Sequence, residues 1–370
     1  MSLFRALALA SCTLTLALRC NVTTSNTAAR RTAAGARVLA QDGNIANAKF
    51  NSNFVLLGMS YGDCAFQACA NTSAGACGFD GRASRFLAYT SPSLADGSWS
   101  EPIELLPAAA RPAELAGAIF FRPHLVYNAR TSMWVLWVRW LPPDGPSLSD
   151  DPTLYFSASA PSLDAPFVVR NVAVPMFYNN SADDNLFVDP TDGAGYIVHT
   201  ARSTGTKIVV ERLTDDFLAS RGATDATQRS AEIGPGHTEA PAMWYDARRA
   251  RYYVSFSPLC CYCTSGSPTQ VWAAPAPLGP YAPAGALGNA PAAQQNFVLA
   301  DAALVDGVIW SGSRWGSDPA AGPAHPPLFD SSLQYWAPLN FAADGTALPL
   351  VWANESSFSV EVDAPACPPA

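Results

Sequence analysis

The sequence predicts an all-β protein, more specifically a five-bladed β-propeller, from three observations. Short runs rich in aromatic and β-branched residues, such as NFVLLGMSY and MWVLWVRW, alternate with Gly, Pro and Asp turns, and helical periodicity is almost absent. Polar turns followed by an aromatic residue recur at intervals of 50 to 68 residues, at Trp99, Phe167, Phe217, Tyr281 and Phe341. Units of about sixty residues with some four strands each are typical of propeller blades, whereas a β-sandwich would not repeat a motif at this spacing.

Two strand-turn-strand segments support the repeat directly. The segment IFFRPHLVYNARTSMWVLWVRW (119–140) aligns with GHTEAPAMWYDARRARYYVSFSP (236–258), so that Pro123 meets Pro241 and Tyr127 meets Tyr245. In that register Phe121 lies opposite Glu239. The two copies are separated by two repeat units, which predicts that they are the inner hairpins of blades 2 and 4.

Three polar residues stand at the starts of successive predicted inner strands. Asp183, Glu239 and Gln294 are separated by 56 and 55 residues, one blade each. Inner strands line the central channel of a propeller, so these side chains are expected to meet at one mouth of the channel. A carboxyl group desolvated there would have a raised pKa, and an acid beside a second polar group that manages water is typical of glycosidic bond cleavage.

Structural roles compete with these functional ones. Glu239 could cap a strand or pair with Arg122 or Arg314, Asp183 could belong to a turn, and Gln294 could be an ordinary amide at a strand end. For substrate binding we expect Arg122 and Arg314 as polar contacts. The aromatic platforms expected to stack on a sugar are Trp315, Tyr335 and Trp336.

Other candidate residues point to structure rather than chemistry. Trp134, Trp137 and Trp140 lie within one β-rich run, MWVLWVRW, and are expected in the sheet core. The four histidines show no metal-ligand spacing, so no metal site and no cofactor is predicted. The sequence is silent on a structural calcium ion in the channel.

Composition and the N-terminus predict a secreted protein. Ala6 to Leu18 form an apolar run behind Arg5, which predicts a signal peptide over residues 1–20, with an uncleaved anchor as the alternative. A flexible segment (21–38), the propeller (39–363) and a tail (364–370) are expected to follow. The net charge of -8 argues against nucleic acid or an anionic membrane as partner, and we expect a monomer. Four glycosylation sequons fit this location, at Asn21, Asn71, Asn179 and Asn354.

Nine cysteines favour disulfides in an oxidising compartment. Two clusters stand out, one at Cys64, Cys69 and Cys77 and the other at Cys260, Cys261 and Cys263. A link between them would tie an early loop to a late one, although the spacing does not determine which cysteines pair.

Several segments, in order over roughly residues 40 to 352, resemble glycoside hydrolase family 43, in the branch of the exo-β-1,3-galactanases. They include RPHLVYN (122–128), DDNLFVDPTDGAGYI (183–197), EAPAMW (239–244), YYVSFSPLCCYC (252–263), PLGPY (277–281), AQQNFV (293–298), SRW (313–315) and QYWAPLNFAADG (334–345). The resemblance implies a five-bladed propeller that hydrolyses galactose-containing polysaccharide with inversion. It also implies that Glu239 is the general acid, that Asp183 tunes this acid and orients the sugar, and that Gln294 stands where other family members have an aspartate base.

Two departures from the family pattern bear on activity. Phe121 stands where members of this branch often carry a glutamate. In the first blade an Asn-Ala-His-Gly-rich inner strand is expected, yet ANAKFNSNFVLLGMSYG (46–62) runs straight through and Lys49 stands in the place of the histidine. About seven residues of the family pattern are therefore missing, and the sequence predicts a short or absent inner strand in blade 1. An arabinofuranosidase or xylosidase on the same fold, and a non-catalytic carbohydrate-binding propeller, are the alternatives.

Overall fold

The structure, a computed structural model, describes residues 18–60, 64–65, 84–142, 154–178, 180–259, 266–288, 293–305, 307–314, 328–329, 333–362 and 367. It is a nearly all-β five-bladed propeller, which confirms the predicted fold class. Among the described residues no helix is both long enough and apolar enough to cross a membrane.

The strands follow one another around the propeller in chain order. The described chain begins with β1 (Leu18–Ser25), and blade 1 then contains β2 (Gln41–Ile45), β3 (Phe54–Ser60), β5 (Arg85–Ser91) and β6 (Ile103–Glu104), with β4 (Cys64–Ala65) between β3 and β5. Blade 2 contains β7 (Ile119–Asn128), β8 (Met133–Leu141), β9 (Leu154–Ala160) and β10 (Val168–Asn171). Blade 3 contains β11 (Ser181–Val188), β12 (Gly195–Ala201) and β13 (Lys207–Arg212).

The last two blades complete the ring. Blade 4 contains β14 (Thr238–Asp246), β15 (Arg251–Pro258), β16 (Thr269–Ala274) and β17 (Ala282–Gly288). Blade 5 contains β18 (Gln294–Leu299), β19 (Val308–Ser313) and β21 (Gln334–Leu339), while β20 (Leu328–Phe329) pairs with β4 and β22 (Glu355–Val362) pairs with β1. The inner strands β2, β7, β11, β14 and β18 each contact the next, and β18 contacts β2, so they enclose a central channel.

The core lies between the blades, because most strands are buried on both faces. In β8 the side chains of Trp134, Trp137 and Trp140 are at most 5% exposed, which confirms their predicted place in the sheet core. The five aromatic residues that predicted the repeat each follow the third strand of a blade. A period read from turns and aromatics therefore located every blade.

A clasp formed by the two ends of the described chain covers the seam between blades 1 and 5. β1 and β22 pair along their whole length, and Cys20 forms a disulfide with Cys367. Val22 and Phe358 of this ribbon pack into a cluster that contains residues of both blades. The start of segment 21–38 is therefore paired strand rather than the predicted flexible chain, because its apolar side chains are buried. The predicted signal-peptide boundary at residue 20 falls inside β1.

The cysteine clusters lie largely outside the described residues. Of their six members, Cys64 is described only as part of the backbone of β4. The predicted link between the clusters stays a prediction. Cys20, which the sequence placed beside the signal peptide, is instead a structural cysteine.

Candidate active site

Every inner strand carries a β-bulge close to its start, and the five bulges occupy equivalent positions. In each, the inner strand gains one residue over the second strand. The bulges lie between Gln41 and Asn44, Phe121 and His124, Ser181 and Asp184, Glu239 and Ala242, and Gln295 and Phe297. Bulges re-aim side chains and are frequent beside active sites, so this ring of irregular backbone marks one mouth of the channel.

The bulges confirm the predicted alignment of blades 2 and 4. Phe121 and Glu239 are both the last paired residue before the bulge of their strands. In blade 3 the equivalent residue is Ser181, and Asp183 stands within the bulge itself. The bulge backbone is strained, because Arg122 and Ala240 have φ values of 45° and 52°, in the left-handed region.

Blade 1 has an inner strand, so the prediction that it is absent is wrong, but β2 is the shortest of the five inner strands, in agreement with the prediction of a short one. The inner strand was expected within residues 46–62, but β2 precedes that segment in the chain. β2 pairs with β3 through a bulge like those of the other blades. Lys49 lies after β2, and its Nζ is 4.6 Å from the centroid of the Phe54 ring. The bulge depends on Gly43, because a Cβ there would lie 1.8 Å from the Leu57 carbonyl oxygen. β2 contacts β7 and β18, so blade 1 contributes to the wall of the channel.

The bulge of blade 1 also brings in a carboxyl group that the sequence analysis missed. Asp42 has a φ of 56° and is 5% exposed, and the Ser313 hydroxyl donates a hydrogen bond of 3.2 Å to its Oδ1. Ser313 is the strand partner of Gln294, so Asp42 lies beside the blade 5 part of the mouth. The polar QDG triplet ahead of the first apolar strand was the available signal.

Asp183 is held between two buried arginines. Arg122 Nε is 3.2 Å from its Oδ2, and Arg139 Nη1 donates a 3.0 Å hydrogen bond to its Oδ1. Burial alone would raise the pKa of Asp183, but Arg122 and Arg139, assisted by Arg202, outweigh it and lower the pKa below its ordinary value. Asp183 is therefore a fixed carboxylate.

Glu239 and Gln294 meet directly, as their spacing predicted. Gln294 Nε2 donates a hydrogen bond of 3.0 Å to Glu239 Oε1, and Gln294 is 5% exposed whereas Glu239 is partly accessible. The next residue, Gln295, donates to the Ala240 carbonyl at 2.7 Å and so ties blade 5 to the bulge of blade 4.

Electrostatic coupling places the carboxylates around one centre. Burial alone would lower the pKa of Arg122, but the negative charges of Asp183, Asp42 and Glu239 raise it. Arg122 also donates to the Gln295 carbonyl from both terminal nitrogens at 3.3 Å, which spans the channel from blade 2 to blade 5. Arg122 is thus a structural hub of the mouth, and at 3% exposed it is poorly placed for direct contact with a sugar.

Like Arg122 and Arg139, Arg202 lies near this mouth, and the sequence analysis did not single it out. It begins a short 3-10 helix (Arg202–Thr204) just after β12 and is only partly buried. Burial and the neighbouring Arg139 lower its pKa, while Asp183 and Glu239 act in the opposite direction. It therefore faces the predicted acid from blade 3.

Behind the mouth lies a layer of buried polar groups. His124 Nδ1 is 3.1 Å from the Arg122 carbonyl oxygen and 3.7 Å from Asp184 Oδ2, and its Nε2 is 3.1 Å from Asn185 Nδ2. Burial and the charge of Arg122 lower the pKa of His124 to about 3. Burial, assisted by Asp183, raises the pKa of Asp184 well above its ordinary value. His124 is therefore neutral at pH 7, while the raised pKa of Asp184 favours its protonated form.

The residues predicted to bind sugar are not gathered at the mouth. Tyr335 and Trp336 are fully buried, and their polar atoms donate to the Val351 carbonyl and to Gln334 Oε1. Arg314 is 3% exposed, donates to the Asn26 carbonyl at 2.5 Å and lies over the Trp352 ring. These three side chains lie in the interior, because aromatic rings and a hydrogen-bonded guanidinium can fill a core as well as line a sugar site. Trp315 lies outside the described residues.

The opposite end of the channel holds a separate cavity of about 290 Å³. Its wall includes Asn44, Asn185, Phe187, Trp244 and Asp301, all downstream of the bulges on or just after the inner strands. The cavity extends from just behind the bulges, at Asn44 and Asn185, and Asp42, Asp183 and Glu239 do not line it.

No protein-family model matches the sequence, and no curated protein matches it. Among solved structures, it is similar to an exo-β-1,3-galactanase from Phanerochaete chrysosporium bound to β-1,3-galactotriose, with a TM-score of 0.66, 18% identity, and coverage of 90% of this chain and 68% of that chain. It is also similar to an exo-β-1,3-galactanase from Clostridium thermocellum, with a TM-score of 0.67, 20% identity, and coverage of 90% of this chain and 66% of that chain. A third similar structure is a β-1,3-galactosidase of family 43, with a TM-score of 0.68, 19% identity, and coverage of 90% of this chain and 63% of that chain.

The chain has the fold of the family 43 β-1,3-galactanases. It spans 63% to 68% of the length of these three solved chains. At this level of identity the likeness concerns the fold, and the chemistry has to be argued from the mouth itself.

Proposed function

We propose that this protein is a glycoside hydrolase that cleaves β-1,3-linked galactose from galactan or arabinogalactan, with inversion. The observation that carries the proposal is the meeting of Glu239 and Gln294 at the bulged mouth, beside the arginine-held carboxylate of Asp183. Hydrolysis of a glycoside needs a proton donor for the leaving oxygen and a group that manages the attacking water. This mouth offers both.

Glu239 is the proposed general acid. It is partly accessible and accepts a neutral amide hydrogen bond from Gln294, whereas Asp183 is held as a carboxylate by Arg122 and Arg139. The Gln294 amide fixes the orientation of the Glu239 carboxyl group at the mouth. One of the similar solved structures is a variant in which a single glutamate is replaced by glutamine, crystallised with β-1,3-galactotriose. That choice of residue supports a glutamate role in the fold.

Asp42 and Gln294 are the proposed water-side groups. An amide is a poor base, so Gln294 alone would position water rather than deprotonate it. Asp42 supplies a buried carboxylate next to Gln294: its Oδ1 accepts a hydrogen bond from the hydroxyl of Ser313, the strand partner of Gln294. We therefore assign the water-activating role to Asp42 with Gln294 as its positioning partner.

The substrate assignment rests on the similar structures. Their ligands are β-1,3-galactotriose and galactose. An extracellular location is part of the proposal and is supported by the Cys20–Cys367 disulfide, since disulfides persist in oxidising compartments.

The test incubates the purified protein with oligosaccharides of β-1,3-galactan, arabinan and xylan, beside a Glu239→Gln variant. We expect galactose release from the galactan series, reduced about 10²- to 10⁴-fold by the variant, which is the usual contribution of a general acid. Glu114→Gln, at an exposed glutamate in another part of blade 1, is the matched control and should retain full activity.

Two results would overturn the proposal. Release from arabinan or xylan with none from galactan would assign the site to a pentose. Oligosaccharide binding with no release by the unmodified protein would make the propeller a carbohydrate-binding module.

A further inference from the structure

The rim of blade 3 carries an aromatic pair that neither the predicted chemistry nor the core uses. Phe177 and Tyr178 precede β11, and their rings form an edge contact with centroids 4.6 Å apart. Phe177 is 38% exposed, among the largest exposures of an apolar side chain in the described part of the molecule. An exposed aromatic beside a polar rim is a frequent feature of ligand sites.

This pair lies at the same end of the channel as Glu239. The Ser181 hydroxyl donates a 2.8 Å hydrogen bond to the Tyr178 carbonyl, and Ser181 occupies in blade 3 the position of Glu239 in blade 4. The Asn180 carbonyl accepts from the Arg202 amide at 2.8 Å, and Arg202 is coupled electrostatically to Glu239. Three extended residues reach at most about 10 Å, so the backbone of Tyr178 lies within about that distance of the bulge.

The pair is held rigidly from below. The Phe177 amide donates to Glu211 Oε1 at 3.2 Å, and that fully buried carboxylate also bonds His199 Nε2 at 2.9 Å and the Ser220 hydroxyl. Burial alone would raise the pKa of Glu211, but the His199 and Ser220 hydrogen bonds lower it, so Glu211 stays ionised. A carboxylate fixed on three sides anchors the loop.

The two rings are also fixed from the side. The Arg229 guanidinium lies 3.3 Å from the centroid of Phe177, and Arg229 is itself held by the Gly222 carbonyl at 3.0 Å. The Tyr178 hydroxyl donates to Glu232 Oε1 at 3.1 Å, and Lys207 donates to Glu232 Oε2 at 3.0 Å. Since Arg229 covers one face of Phe177, the exposure of that residue comes from the remaining face and edge.

We propose that Phe177 and Tyr178 form a sugar-stacking subsite, which binds a neutral galactose residue of the oligosaccharide remote from the bond that is cleaved. A galactopyranose ring has an apolar face of C–H groups, which suits the electron-rich face of an aromatic ring, and hydroxyl groups that suit Glu232 and Lys207 beside it. Because the rings are already fixed, binding costs little side-chain entropy. The inference deepens the proposed function and rests on it for the identity of the sugar.

The subsite would strengthen the binding of longer oligosaccharides without changing the rate of bond cleavage. A disaccharide that fills the bulged mouth would not reach the rim, whereas a longer chain would. We therefore expect Phe177→Ala and Tyr178→Ala to raise KM for β-1,3-galactotetraose about fivefold, equivalent to about 1 kcal/mol, with kcat unchanged. KM for β-1,3-galactobiose should not move.

Two variants control for indirect effects. Leu348→Ala removes an apolar side chain of similar exposure, 40%, near the opposite end of blade 5 and should leave both KM values unchanged. Tyr178→Phe removes the hydroxyl contact with Glu232 but keeps the ring, and it should retain most of the affinity for the tetraose. Equal KM changes for the two substrates, or changes in kcat alone, would overturn the subsite.

A binding measurement separates this inference from the proposed function. Calorimetric titration of the Glu239→Gln protein with the same two oligosaccharides should show weaker binding of the tetraose, and not of the biose, when Phe177→Ala is added. If the unmodified protein hydrolyses no galactan but this length-dependent loss is seen, the subsite stands and the hydrolase assignment falls. If galactan is hydrolysed and the loss is absent, the reverse holds.

Discussion

Replacement of Asp183 by asparagine should destabilise the protein far more than replacement of any surface aspartate. The Asp183 side chain is 14% exposed and is paired with Arg122 and Arg139, whose side chains are 4% and 5% exposed. At separations near 3 Å and an effective dielectric constant of about 20, each pair attracts with about 5 kcal/mol, most of which offsets the desolvation of the three groups. Asparagine keeps the shape but leaves two buried cations unpaired, so the free energy of unfolding should fall by about 3–5 kcal/mol.

Asp215 provides the matched control, because it also bridges two arginines. It lies 3.8 Å from Arg130 and 2.8 Å from Arg221, but its side chain is 64% exposed. Exposed pairs contribute little, so Asp215→Asn should cost less than about 1 kcal/mol.

Urea unfolding at pH 7, followed by tryptophan fluorescence, measures both variants. The pKa of Asp183 is lowered in the folded state, so its contribution is present above the unfolded value of about 4 and is lost as the pH falls through the folded pKa. The difference between the unmodified protein and Asp183→Asn should therefore shrink below pH 4. Equal losses for Asp183→Asn and Asp215→Asn at pH 7 would refute the argument that the mouth depends on this buried cluster.

Three further predictions follow from the same structure. His124 has a pKa of about 3 in the folded protein and an ordinary value of about 6.5 in the unfolded chain, so its contribution to the free energy of unfolding rises with pH between these values, and the raised pKa of Asp184 acts in the opposite direction. By urea unfolding, the free energy of unfolding of Asp184→Asn should therefore rise by up to about 1.4 kcal/mol per pH unit between about pH 4 and 6.5, and that of His124→Asn should fall as the pH rises. Cys20→Ser should lower the free energy of unfolding by about 2–5 kcal/mol, because the disulfide links residues 347 positions apart. The double variant Cys20→Ser, Cys367→Ser should be no less stable than Cys20→Ser alone, since both lack the same bond. Asp42→Asn should reduce kcat on galactan about 10²- to 10⁴-fold with little change in oligosaccharide affinity by calorimetry, whereas undiminished kcat would leave water activation to Gln294 alone.

The fold was readable from the sequence because a propeller repeats one physical solution. Each blade needs apolar strands buried on both faces and a turn that returns the chain, so the aromatic residues from Trp99 to Phe341 recur with the period of the blades. The same repeat aligned Phe121 with Glu239 and brought Glu239 to Gln294. The repeat of the blades shows which residues occupy equivalent positions in different blades, and residues at equivalent positions of the inner strands lie at the same mouth of the channel.

The remainder of the site depends on details that a period does not contain. A one-residue bulge shifts the side chains of β2, so Asp42 lies at the mouth although its segment matched no expected motif. The sequence identifies Tyr335 and Trp336 as aromatic, but it does not show that these consecutive residues are buried in two different core clusters. The partner of Cys20 was equally hidden, because the pairing of β1 with β22 joins positions at opposite ends of the chain.

The central claim is that Glu239 donates a proton to the leaving oxygen, and a comparison of two leaving groups tests it most directly. In β-1,3-galactobiose the leaving group is a poorly acidic sugar hydroxyl that needs protonation, whereas an aryl β-galactoside with an acidic phenol needs little. The account predicts that Glu239→Gln lowers kcat/KM about 10²- to 10⁴-fold on the disaccharide and less than about tenfold on the aryl substrate. Equal losses on both substrates, or none on either, would contradict it.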